Sequence, residues 1–157
     1  MADMNSISHS VICVDDLHAA HEFYENVMGT KRTSSVCFET EDTLRGRSVH
    51  DTYIISEDFV FFVALAEKKL PKPPADQHRG LDGFRSAFFV RKAQFDKTVA
   101  ALKERGIGFE GPINHSEKGP FGQSVYFKDP SGNFFECLWR RDEGTPAFEK
   151  PYFLGLG

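Results

Sequence analysis

The chain reads as an α+β protein in which two tandem βαβββ units form a curved mixed sheet around a central cavity, with helices on the outer face. Three observations lead there. Split near residue 80, each half runs strand, helix and three strands; each helix has a single apolar stripe; and a Pro-rich, charged segment joins the halves. Repetition at this length implies one supersecondary unit used twice.

The first unit, residues 1–66, opens with a strand over Ile7–Val14. Its helix, roughly Leu17–Met28, sets Leu17, Ala20, Phe23, Tyr24 and Val27 on one face, with Asp15 or Asp16 as cap and Gly29 beyond the end. Strands follow near Lys31–Glu39, Arg47–Ser56 and Phe59–Ala66. Residues 67–83, EKKLPKPPADQHRGLDG, combine three prolines with several charges and read as an extended, exposed linker. The second unit, residues 84–142, repeats the order. Its strand is Phe84–Val90, and its helix, roughly Ala93–Arg105, carries Phe95, Val99 and Leu102 as its stripe and stops at Gly106. Strands near Gly108–Ile113, Gln123–Lys128 and Asn133–Arg140 complete it. Residues 143–157 form an aromatic tail ending in PAFEKPYFLGLG.

Composition narrows the class. With 157 residues, 40% hydrophobic and 27% charged, the chain suits one globular domain or two small repeated halves. A net charge of -4 without a basic stripe argues against nucleic acid as partner. Cys13, Cys37 and Cys137 are odd in number and widely spaced, so they read as free thiols in a reducing compartment. No signal peptide or apolar run of membrane length is visible, and the expected location is the cytoplasm. Sixteen Phe are many for this length and suit a core or an aromatic-walled cavity.

One segment concentrates the chemistry. In HSEKGPFGQSVYFKDPSGNFFE, Tyr126 lies on a strand of period two, and the turn Asp129-Pro130-Ser131-Gly132-Asn133 returns the chain antiparallel with Glu136 on the next strand. Glu136 falls in the apolar run Phe134, Phe135, Cys137, Leu138 and Trp139. A carboxylate there needs a partner, whether a metal ion, a cation or hydrogen-bond donors. Alternation places His9, Val11 and Cys13 on one face of the first strand and Ile12 and Val14 on the helix-facing one. By the same rule His9 and Glu136, the latter with Phe134 and Leu138, point into the open concave face, where a His and a carboxylate are suitable ligands for a divalent metal.

The stretches ISHSVICVDDLHAAHEFYENVMG and SVYFKDPSGNFFE together resemble the vicinal-oxygen-chelate superfamily, which includes glyoxalase I, type I extradiol dioxygenases, fosfomycin-resistance enzymes and bleomycin-binding proteins. The resemblance covers nearly the whole chain. It implies that His9 and Glu136 are metal ligands and that a third ligand is a His opening the second unit; a His and a carboxylate themselves suit divalent Fe, Mn, Ni or Zn. In this chain Arg85 stands at that position. A guanidinium keeps its proton and does not ligate metal. A fourth acidic or amide ligand would fall near Phe61 or Phe62, and is absent.

Several residues are candidates to complete such a site. His50 and His78 are candidate third ligands, each with surface exposure as its alternative. His115, upstream of Tyr126, resembles the His of the extradiol signature, although the gap to Tyr126 is longer, and is a candidate acid or base beside Tyr126 as donor. Arg85 either grips an anionic ligand or forms an ion pair with Glu136. Phe89 and Phe134 are candidate ligand walls, with Trp139 as a further aromatic. Three functions follow: a metal-dependent lyase or dioxygenase acting on a small oxygen-chelating substrate; a metal-free binder of the bleomycin-resistance kind; or an interaction protein using its aromatic tail. A homodimer is expected, with no nucleic acid or membrane partner.

Overall fold

The computed structural model describes residues 7–34, 45, 50–57, 59–81 and 83–142. Cys37, the outer parts of the strands expected near Lys31–Glu39 and Arg47–Ser56, and the aromatic tail from residue 143 lie outside the described residues. The described elements are β1 (His9–Val14), α1 (Leu17–Asn26), β2 (Lys31–Ser34), β3 (His50–Ile54), β4 (Val60–Leu65), β5 (Arg85–Val90), α2 (Lys92–Glu104), β6 (Phe109–Asn114), β7 (Phe121–Lys128) and β8 (Phe134–Arg140). They form two four-stranded mixed sheets ordered β1-β4-β3-β2 and β5-β8-β7-β6, in which β1–β4 and β5–β8 are parallel pairs. This is the βαβββ repeat expected from sequence.

Local chemistry explains the helix limits. Asp16 caps α1 by accepting the Ala19 N–H at 2.8 Å, while Asp15 turns away to accept the Leu70 N–H and to pair with Lys72. α1 ends at Asn26, slightly short of the expected Met28, because the chain turns left-handed at Gly29, φ 71°. α2 has no side-chain cap at Arg91 and stops before Gly106, φ 63°. No helix among the described residues is long and apolar enough to cross a membrane.

A single core joins the two units. Ile12, Val14, Phe23, Tyr24, Phe61 and Val63 of the first pack in one cluster with Phe95, Leu102, Phe127 and Phe135 of the second. The Phe61 ring meets Phe88 at 5.1 Å in an edge-on contact, and Phe23 meets Phe127 at 5.9 Å. Polar contacts then fix the alignment. The Asp129–Asn133 turn docks on the first unit: Tyr24 Oη donates to Asp129 Oδ2 at 2.6 Å, the Asp15 N–H donates to Ser131 Oγ at 2.8 Å, and Asn133 Nδ2 donates to the Cys13 carbonyl at 2.9 Å. The DPSGN segment is therefore an interlock as well as a turn.

Helix-facing positions are buried, whereas parts of the opposite sheet faces are exposed. Ile12 and Val14 are core residues, whereas Val11 on the other face is 55% exposed; Phe135 and Cys137 are buried, whereas Phe89 on the other face is 48% exposed. The linker differs from expectation at its end. Residues 67–76 are mostly exposed, but His78, Arg79 and Gly80 fold against the second sheet, and Gly80 is buried.

Candidate functional site

Strand pairing lays out two equivalent floors on the open faces. Val11 opposes Phe62 in the first unit as Ala87 opposes Glu136 in the second. Extending the register matches His9 with Arg85, Phe62 with Glu136, Thr52 with Tyr126 and His50 with Ser124. Each floor thus holds half of the expected ligand set. Sequence alone left Phe61 and Phe62 undivided; the register gives Phe62 to the floor and Phe61 to the core.

On the first floor the imidazoles of His9 and His50 stack on the Phe62 ring, with centroids 4.6 and 4.0 Å away. Phe62 lies diagonally between them in the strand lattice. His9 Nδ1 is 2.8 Å from Ser8 Oγ, and His50 Nδ1 is buried with no hydrogen-bond partner among the described residues.

The second floor holds a connected polar network. Arg85 Nε lies 3.3 Å from Glu136 Oε2, and Ser124 Oγ donates to Glu136 Oε1 at 2.7 Å. His115 Nε2 lies 2.7 Å from the same Ser124 oxygen. A hydroxyl has one hydrogen, already given to the carboxylate, so His115 Nε2 must be the N–H donor and Nδ1 is left as the other ring position. Ser124 and Glu136 are buried, and a carboxylate with a cation and a hydroxyl on its two oxygens meets the pairing requirement set by its apolar run.

Tyr126 closes the network. Its ring centre is 5.0 Å from the Arg85 guanidinium carbon, and burial, then the Glu136 charge, raise its phenol above the ordinary value of 10.0. The phenol is consequently a neutral donor at physiological pH. Around it, Phe89 stacks with Phe121 at 6.2 Å, and Phe134 lies so close to Gly80 that a Cβ there would sit 2.6 Å from its ring. Trp139 alternates to the helix side, packs over Gly122 and donates Nε1–H to Gln123.

Two contributors were not read from sequence. Arg141 holds the 115–121 loop by donating to the carbonyls of Ser116, Gly119, Phe121 and His115, which sets His115 over Ser124 despite the longer loop. Arg79 places its guanidinium carbon 5.1 Å from the Tyr126 ring centre and pairs with Glu110 at 2.6 Å. Its only sequence signal is a basic residue next to His78. His78 itself packs near Gly108, with Nδ1 buried and lacking a hydrogen-bond partner among the described residues.

A divalent ion would need several free donors at one point. Among the described residues no group of three His, Cys, Asp or Glu side chains could hold one. Both Glu136 oxygens are engaged, His9 stacks on Phe62, and a permanent cation occupies the position equivalent to His9. Within one chain these residues do not fit a metal centre.

The family model described as the Glyoxalase/Bleomycin resistance protein/Dioxygenase superfamily matches residues 6–137. The chain belongs to this superfamily. Solved structures of this superfamily fold resemble the chain at low identity. A glyoxalase/dioxygenase from Nostoc punctiforme is 20% identical with a TM-score of 0.66, covering 88% of this chain and 92% of its own. The fosfomycin resistance protein FosX from Mesorhizobium loti is 20% identical with a TM-score of 0.60, covering 86% and 91%. Oxidase ChaP-H2 is 16% identical with a TM-score of 0.60, covering 87% and 94%. These likenesses establish the superfamily fold and leave the reaction to the chain's own residues.

Proposed function

We propose that this superfamily member is a metal-free small-molecule binder whose second floor takes an anionic, aromatic ligand through Arg85. The observation that carries the proposal is the Arg85–Glu136 contact at 3.3 Å, which places a cation where the resemblance implies a His. Arg85 spends Nη1 on the Arg79 carbonyl at 2.6 Å and Nε on Glu136, leaving Nη2 without a protein partner among the described residues. That nitrogen would donate to a ligand carboxylate, phenolate or phosphonate oxygen.

The remaining residues have defined tasks. Glu136, anchored by Ser124 and by the neutral Tyr126 hydroxyl, orients the guanidinium; Phe89 and Phe134 supply aromatic walls; and His115 fixes Ser124 from the far side. Titration calorimetry with benzoate tests this. Saturable binding that is lost in Arg85→Gln is expected, and binding unchanged in Arg85→Gln would overturn it.

A metal-dependent lyase or dioxygenase acting on an oxygen-chelating substrate is the second reading. The retention of His9 and Glu136 on equivalent faces favours it. It would require Glu136 to exchange Arg85 for an ion of the Fe, Mn, Ni or Zn class and further donors to arrive from His50, His78 or a second chain. Metal-dependent gain of oxygen uptake with catechols, or of hemithioacetal turnover, would decide for it.

A further inference from the structure

We propose that Arg79, contributed by the linker, is a second anion-binding residue of the same floor and that Glu110 is the internal carboxylate occupying it when ligand is absent, which makes the site selective for doubly charged oxyanions. This rests on the anion-binding reading of Arg85 given above. Three contacts build the arrangement. Arg79 and Arg85 place their guanidinium carbons 5.1 and 5.0 Å from the centre of the same Tyr126 ring. Arg85 Nη1 donates to the Arg79 carbonyl at 2.6 Å, tying the linker to the floor. Gly80, at φ 60° and against the Phe134 ring, allows the chain to come that close.

Glu110 meets Arg79 through one oxygen only, Oε1, which accepts from Nε at 2.9 Å and lies 2.6 Å from Nη2. Glu136 is anchored by buried Ser124, but Glu110 has no such anchor among the described residues, and its side chain is 42% exposed. An exposed single-oxygen pair has little net stability, so a bidentate ligand oxyanion is a better partner for the Arg79 fork. Exchange of Glu110 for ligand would then free the Arg79 fork for one charge of a dianion whose other charge is held by Arg85, both guanidiniums lying at the Tyr126 ring. Phosphonate, phosphate monoester and paired carboxylates share this chemistry.

Calorimetry with phenylphosphonate, phthalate and benzoate tests the arrangement on the full chain. Arg79→Gln is expected to weaken phenylphosphonate or phthalate about tenfold more than benzoate, and Arg79→Lys to recover part of the loss. Glu110→Gln is expected to act oppositely, tightening the dianions several-fold, and it serves as the independent variant should Arg79→Gln lower the melting temperature. Equal weakening of all three probes in Arg79→Gln, or no tightening in Glu110→Gln, overturns the role of Arg79 while leaving Arg85 in place. Binding insensitive to Arg85→Gln instead removes the underlying anion site.

Discussion

Glu136 is a buried carboxylate whose charge is met by Arg85 on one oxygen and Ser124 on the other. Removing Arg85 leaves a buried carboxylate without its cation, held by the Ser124 and Tyr126 hydroxyls. Because Arg85 is partly exposed, Arg85→Gln should cost about 2 kcal/mol, below the range for fully buried pairs, in a denaturant melt. Tyr126 reports the same charges. Its phenol is raised by burial first and by Glu136 next, with Arg85 opposing, so Glu136→Gln should lower its titration midpoint and Arg85→Gln should raise it. Ultraviolet titration against the matching Tyr126→Phe proteins reads this, and shifts of the opposite sign would contradict the geometry. Since the folded phenol titrates above its unfolded value, its contribution to stability is complete below pH 10.0 and is lost as pH rises through the raised value. In the inter-unit contact, Tyr24→Phe removes a donor to buried Asp129 and should cost about 2 kcal/mol.

At the scale of elements, most of the layout was legible because it follows from periodicity and breakers. The stripes of Leu17, Phe23 and Tyr24 and of Phe95, Val99 and Leu102 gave both helices, and alternation around Glu136 gave its face. Side-chain partners were less legible, because they depend on register across strands distant in sequence. That Phe62 is the counterpart of Glu136 follows only once β1–β4 and β5–β8 are paired, and that His115 meets Ser124 only once β6–β7 are. The linker shows the same limit: its prolines suggested exposure throughout, yet a left-handed glycine against Phe134 lays residues 78–80 on the sheet. Gly80→Ala should cost about 1–3 kcal/mol from strain and should displace Arg79 from Tyr126. An unchanged melting temperature would contradict this packing.

For the whole molecule, the two floors leave apolar surface uncovered among the described residues. Val11, Ile54, Phe84 and Phe89 are exposed apolar residues on or beside them, a surface that a second copy of the chain could cover. Light scattering should therefore find a dimer, and Val11→Lys combined with Phe89→Lys should shift it towards monomer. The repeat also explains why the metal reading was persuasive from sequence: His9 and Glu136 both lie on open faces, but the position equivalent to His9 is held by Arg85 and the one equivalent to Glu136 by Phe62, neither a ligand. Whether the Arg85–Glu136 pair replaces a metal is decided by the metal content of protein purified without added metal. Fe, Mn, Ni and Zn are expected far below stoichiometric, with melting unchanged by chelator; a full equivalent of one of them, lost in both His9→Ala and Glu136→Gln, would mean that Glu136 holds an ion.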